Sequence, residues 1–345
     1  MKNNYLSRRK FLRETALTTG MASVSSLGLM SCAKNGIFSR ANSGHEAWIA
    51  GVCLLGLRAK TAELMFEKVL ETLKDIIVYQ PDFVCLPEAF PFENIEQKLS
   101  LSEKAEISEK VIDLASEFSR GNNCYLICPV YTKTDGLIYN SAVVFDRKGI
   151  RIGTYNKIHP TEGEIEEGIT PGALNQEVIQ TDFGLAGIQI CFDINWIEGW
   201  KMLREQGAKI IFWPSAYGGG LTVNTKAWQY RCVTASSTHK GTSKLCDITG
   251  ETITQTGLWN QNLYCAPVNL EKEFLATWPY VYRFREIRNK YGRKVRITTF
   301  HEEEWSIIES LSPDILVKDI LREFELKTYE EHIGSAELLQ NKTRK

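Results

Sequence analysis

The chain has 345 residues, 43 % of them hydrophobic and 24 % charged, a composition ordinary for a soluble globular protein of one large domain or two smaller ones. Its 41 basic residues balance 42 acidic ones at a formal net charge of −1, so there is no sign of the concentrated basic face that nucleic-acid binding needs. Nine cysteines, an odd number without a Cys-x-x-Cys pair, argue against a disulfide framework, and Cys124 and Cys128 lie four apart in an apolar run with no histidine cluster to make a zinc site.

The first segment reads as an address. Ser7-Arg8-Arg9-Lys10-Phe11-Leu12 precedes a modest apolar stretch from Ala16 to Met30, the pattern of a twin-arginine secretory signal. The stretch is too short and too polar for a transmembrane helix. It ends Leu29-Met30-Ser31-Cys32, which resembles a bacterial lipobox. Cys32 is then the expected lipid-attachment residue of a periplasmic, membrane-anchored protein, and residues 33–45 read as a polar tether.

Beyond the tether the text alternates between strand and helix. The apolar run Trp48–Leu57 predicts a buried strand, and apolar positions from Leu64 to Ile77 at helical spacing predict a helix over residues 60–79. A short strand, Asp82–Leu86, runs into Pro87-Glu88; a second amphipathic helix covers 101–119; strands follow at Cys124–Tyr131 and Asn140–Phe145, with a turn at Asp146-Arg147-Lys148-Gly149. Phe183–Ile190 predicts a strand ending at Cys191, then a helix over Trp196–Gln206 stopped by Gly207, then a strand over Lys209–Trp213. Such alternation is the signature of an α/β fold. From about residue 281 the chain becomes charged, first basic and then, over 301–331, acidic with helical apolar spacing. It reads as an extension that packs on the domain or on a second subunit, with a solvated charged face.

Three of these strand ends deliver residues able to do chemistry. Glu88 follows an apolar strand at its carboxyl edge, where open α/β sheets place ligands, and Pro87 ends the ladder because it has no N–H. Lys157 sits in Tyr155-Asn156-Lys157-Ile158-His159-Pro160, just before a Pro-bounded loop, and Cys191 closes Gly187-Ile188-Gln189-Ile190-Cys191-Phe192-Asp193 at a strand-to-loop elbow of the kind that presents nucleophiles. Taken singly, each has a bland explanation as a cap, a solvated lysine or a core cysteine. In this order and context the three motifs resemble those of the nitrilase, or carbon–nitrogen hydrolase, superfamily over residues 48–275. Further matches are Pro171-Gly172, Phe183-Gly184, Cys191-Phe192-Asp193, the Gly207–Ala216 segment with its Pro214-Ser215, and Asp247-Ile248-Thr249-Gly250-Glu251.

The resemblance implies a four-layer α-β-β-α sandwich at residues 46–280, pairing into a homodimer or higher homo-oligomer, and no cofactor or metal. It implies a Glu88–Lys157–Cys191 triad acting on a small amide, N-carbamoyl compound or, less in keeping with the commoner members, a nitrile. Cys191 attacks the carbonyl carbon, Glu88 is the general base, and Lys157 favours the thiolate and stabilises the oxyanion, with the Phe192 N–H as second oxyanion donor. Glu164, seven positions after Lys157, is the expected second carboxylate, with Glu162 close enough to be confused with it. His159 reads as a loop histidine, and Trp196, Tyr217 and Trp228 are candidates to line the pocket. One departure stands out: the Arg-Ala-x-Glu-Asn stretch common after the Trp228 position is replaced by Arg231-Cys232-Val233-Thr234-Ala235, which bears on substrate preference. Two readings compete with hydrolysis. One is acyl transfer by the same superfamily, whose branch carries a transmembrane bundle; the other is a catalytically inactive ligand-binding lipoprotein, which drift would be expected to mark by loss of Glu, Lys or Cys.

Overall fold

The computed structural model describes residues 45–257, 259 and 261–344. The twin-arginine segment and Cys32 lie outside the described residues. In chain order the elements are β1 (Glu46–Val52), α1 (Ala62–Ile77), β2 (Phe83–Cys85), α2 (Leu101–Asn122), β3 (Tyr125–Thr134), β4 (Leu137–Phe145) and β5 (Arg151–Asn156). They continue with α3 (Glu162–Glu166), β6 (Ile179–Thr181), β7 (Gly184–Ile188), α4 (Glu198–Glu205), β8 (Ala208–Ser215), α5 (Leu221–Tyr230) and β9 (Val233–Thr238). The chain then forms β10 (Lys244–Cys246), β11 (Thr252–Gln255), β12 (Leu263–Asn269), β13 (Lys272–Ala276), α6 (Thr277–Tyr291), β14 (Val295–Phe300), β15 (Trp305–Ser310), α7 (Val317–Glu323) and α8 (Tyr329–Thr343).

Two six-stranded sheets, ordered β12-β1-β2-β3-β4-β5 and β11-β10-β9-β8-β7-β6, stack face to face. Strand alternation decides the layers. Ile49, Phe83, Ile127, Ile210 and Phe212 point between the sheets; their chain neighbours Ala50, Val84 and Leu126 point outward under α1 and α2, and Ile211 and Trp213 point outward under α4 and α5. Because both faces of each central strand are covered, the strands read as nearly continuous apolar runs rather than alternating ones. Phe83 stacks on Tyr125 at 5.0 Å and meets Phe212 of the other sheet at 5.4 Å, and each such buried side chain contributes about 1.5–3 kcal/mol. Gly51 is required by this packing, since a Cβ there would lie 2.5 Å from the Tyr264 ring.

Helix ends follow local chemistry. Thr61 caps α1, and Ser100 with Glu103 forms a capping box on α2, which stops where Asn123 turns left-handed at φ 51°. The strand expected over Trp48–Leu57 stops at Val52; the backbone instead crosses to the second sheet, with Leu54 N–H on the Thr238 carbonyl at 2.9 Å. Ser237 stitches the same place, accepting from Val52 N–H at 3.0 Å and donating to the Cys85 carbonyl at 2.7 Å. The carboxyl ends of β1, β2 and β9 therefore meet.

The charged C-terminal residues form a compact lobe rather than a simple helical arm. β13, β15 and β14 make a three-stranded antiparallel sheet around Leu275, Phe284, Ile287, Ile308 and Ile320. Helical spacing over 301–331 holds for α7 and for the start of α8, but Trp305–Ser310 is a strand: β13 and β14 pair with it on both sides, and the β-branched Ile307-Ile308 suits that setting. Among the described residues no helix is long and apolar enough to cross a membrane.

Candidate active site

Glu88, Lys157 and Cys191 sit at strand ends, and it is the topology that brings them together. The β2 ladder is extended by Leu86 N–H on the Ile127 carbonyl and then released at Pro87, so Glu88 projects past the carboxyl end of a parallel strand; Ala89, next in the chain, is left-handed at φ 40°. His239 Nε2 binds the Glu88 carbonyl oxygen from the end of β9. Lys157 follows β5, its N–H donating to the Asn140 carbonyl and its own carbonyl accepting from Gly172 N–H, each at 2.8 Å.

The ammonium of Lys157, in a residue 1 % exposed, holds both carboxylates: Glu88 Oε1 at 2.8 Å and Glu164 at 2.9 Å (Oε1) and 2.7 Å (Oε2). Glu164 is fixed in turn by a capping box with Thr161 at the start of α3, whereas Glu162 is exposed. Burial pulls the ammonium down, but the charges of Glu88, Cys191 and Glu164 outweigh it and its pKa is raised. Burial likewise raises Glu164, and Lys157, Thr161 N–H and Asn140 outweigh it, leaving that carboxyl below its usual range.

Cys191 opens a short 3-10 turn, Cys191–Asn195, directly after β7, and takes φ 46°. A left-handed cysteine is strained, and the surroundings fix it. Trp213 Nε1 donates to the Cys191 carbonyl at 3.0 Å. The fully buried Asp193 accepts from Tyr155 Oη at 2.8 Å, Ile190 N–H at 2.9 Å, His159 N–H at 2.8 Å and the His159 ring at 2.9 Å. Burial, and then the Glu88 charge, push the Cys191 thiol up to about 12, against the smaller opposite pull of Lys157. Lys157 thus favours the thiolate, as expected of its charge, but burial and Glu88 together outweigh it. Ala216 and Ser215, at the end of β8, also pull the Cys191 thiol down.

Phe192 follows Cys191 in the 3-10 turn, with its ring edge-on to Trp196 at 5.1 Å. His159 lies flat on Trp196 at 4.0 Å and serves Asp193, in keeping with a loop role. Burial, and then the nearby Cys191 and Glu88, raise the Tyr217 hydroxyl, in keeping with a place on the site's wall. Trp228 does not: it packs edge-on against Phe274 beside the C-terminal lobe. A groove of about 830 Å³ between α1 and the β11–β12 edge shares no residue with this cluster. Among the described residues no three His, Cys, Asp or Glu side chains are grouped to hold a metal ion.

Sequence reasoning missed Asn140, Tyr131 and the anchoring of Asp193. Asn140 Nδ2 donates to Glu88 Oε1 and Glu164 Oε1, each at 2.8 Å, and Tyr131, its partner across β3 and β4, has its hydroxyl pKa raised by burial and by Glu88 and Glu164. The available signal was a lone amide in the mostly apolar β4.

A strand-end cysteine thus stands beside a lysine that bridges the buried Glu88 and the half-buried Glu164, between two sheets flanked by helices. The carbon-nitrogen hydrolase family model matches residues 49–274, and the chain belongs to that family. It is 26 % identical over 173 residues to deaminated glutathione amidase of Dictyostelium discoideum, covering 44 % of this chain and 58 % of that protein. It is 30 % identical over 98 residues to N-carbamoylputrescine amidase of Solanum lycopersicum, covering 27 % and 33 %. The chain thus matches only about a third to three fifths of the length of these two relatives. An amidase from Nesterenkonia sp. shares the fold at TM-score 0.59 and 15 % identity, covering 72 % of this chain and 97 % of that one.

Proposed function

We propose that this protein hydrolyses the carbon–nitrogen bond of a small amide or N-carbamoyl compound through a Cys191 acyl-enzyme. The observation that carries the reading is the Lys157 ammonium bridging Glu88 and Glu164 beside a strained, buried Cys191. With a thiol near pKa 12, attack must be coupled to proton removal. Glu88 takes the thiol proton as sulfur bonds to the carbonyl carbon. Lys157 and the Phe192 N–H stabilise the oxyanion. As the intermediate collapses, the C–N bond breaks and Glu88 returns the proton to the departing nitrogen, releasing ammonia or an amine. Water then attacks the thioester with Glu88 again taking a proton, and the acid leaves as the thiol is restored. Glu164 keeps Lys157 in place throughout. The names of two relatives support an amide or a carbamoyl compound as substrate, and a third is named a nitrilase, so a nitrile belongs in the test panel.

The test is ammonia or amine release by the purified chain from propionamide, N-carbamoylputrescine, deaminated glutathione and propionitrile, with Cys191→Ala alongside. Release from an amide or carbamoyl compound, reduced at least about a thousandfold in the variant, is expected. Full activity of Cys191→Ala would sink the assignment. Export and lipid attachment at Cys32 are proposed on the twin-arginine and lipobox motifs alone. Cys32→Ser should move the protein from the membrane to the soluble fraction, and unchanged fractionation rejects the lipid anchor.

A further inference from the structure

Asn140 is 1 % exposed on β4, and its amide is used in an uneven way. Its Nδ2 carries two protons, and both are committed, one to Glu88 Oε1 and one to Glu164 Oε1, each at 2.8 Å. Its Oδ1 is buried with no partner among the described residues. The opposite assignment of the amide would set Oδ1 against two carboxylate oxygens, so the donor end belongs on the carboxylates. A side chain selected only to satisfy buried groups would pair both ends, because an unpaired buried acceptor disfavours folding.

The consequence falls on Glu88. Lys157 Nζ and Asn140 Nδ2 converge on the same oxygen, Oε1, both at 2.8 Å, while Oε2 is buried and accepts nothing among the described residues. The terminal torsion of a glutamate is soft and nearly two-fold, so one donor would leave the carboxylate free to turn and exchange its oxygens. Two donors, one on β4 and one just after β5, fix the plane and keep one oxygen open. The main chain supports the same arrangement, because Lys157 N–H binds the Asn140 carbonyl at 2.8 Å and the two side chains start from a shared anchor.

We propose that Asn140 is a positioning residue for the hydrolysis: it locks Glu88 through Oε1 so that Oε2 is the oxygen that exchanges protons with the thiol, the leaving nitrogen and water. This rests on the reaction proposed above. Asn140→Leu removes both donors without adding charge, and Asn140→Asp keeps the shape while replacing the amide with acceptors, so one variant remains informative if the other fails to fold. Rates are read with the panel compound that the wild-type chain cleaves fastest, with folding followed by thermal unfolding.

The expected result is a fall in kcat of between about tenfold and about a hundredfold, the loss of a hydrogen bond to a charged group, with KM changed less than about threefold. The acid limb of the rate profile should move to higher pH, since Asn140 is one of the bonds that hold the Glu164 carboxyl down. A folded variant with lower thermal stability but wild-type kcat and an unmoved acid limb would overturn the proposal, leaving Asn140 a structural residue. Cys191→Ala in the same assay separates the two ideas. If it still turns over, or if the wild-type chain cleaves nothing in the panel, the hydrolase reading fails and takes this inference with it. If it is silent while Asn140 variants run at the wild-type rate, only the role of Asn140 is lost.

Discussion

Glu88, Lys157 and Glu164 meet between the strand ends of the two sheets, and Arg204, Arg231, Glu273 and Glu330 meet where the C-terminal lobe leans on α4 and α5. Among the described residues each cluster leaves one buried carboxylate oxygen without a partner, Glu88 Oε2 in the first and Glu330 Oε2 in the second. In the second, two guanidiniums face two carboxylates: Glu330 Oε1 accepts from Arg204 at 3.1 Å and Arg231 at 2.8 Å, and Glu273 receives Arg204 at 3.2 Å. The charges balance, Arg231 also lies 3.9 Å over the Tyr329 ring, and the result is a docking joint. In the first, one ammonium serves two carboxylates, and a strained cysteine stands beside them. An unpartnered oxygen alone therefore says little. What separates the two is a charge imbalance next to a strained cysteine, the kind of perturbed cluster that functional sites favour.

The sharpest way to break this contrast is Glu88→Gln. Turnover should fall by between about a hundredfold and about ten-thousandfold as the base is lost. The Cys191 thiol should move the other way. In the wild type, burial and the Glu88 charge hold it at about 12, so removing that charge lets it ionise at lower pH. Alkylation of Cys191 by iodoacetamide, followed by mass spectrometry across pH, should shift to lower pH in the variant. An unmoved or raised midpoint would show that Glu88 is not the charge that keeps the thiol neutral. A smaller effect is expected from Glu330→Ala. It unpairs two arginines at the lobe, and because the Glu330 side chain is 36 % exposed, solvent screening limits the loss to about 1–2 kcal/mol. Thermal unfolding should report that loss while kcat stays within about twofold of wild type. A large drop in kcat would mean that the two clusters are coupled.

Much of the site was legible because strand ends announce themselves. Apolar runs stopped by Pro87, by the loop after Lys157 and by the Cys191-Phe192-Asp193 elbow placed three chemical groups at carboxyl edges, and Thr161 three residues before Glu164 is a capping box readable as text. Asn140 was not legible, since a polar residue inside a strand declares its purpose only when its cross-strand and cross-loop neighbours are known. Trp305–Ser310 falls within a helical pattern in the sequence because a short apolar run has no period of its own, and pairing with β13 and β14 makes it a strand.

The sequence by itself determined the alternation of strands and helices, the residues at their ends and the family to which the chain belongs. These depend on local periodicity, on proline and glycine, and on short motifs. Only the tertiary structure decided that Lys157 spans two carboxylates and that Asn140 spans the same two. It also decided that burial and Glu88 push the Cys191 thiol up and that the charged tail folds into a lobe. Each of those is set by distances between residues far apart in the chain and by burial, and neither quantity exists until the two sheets close on one another.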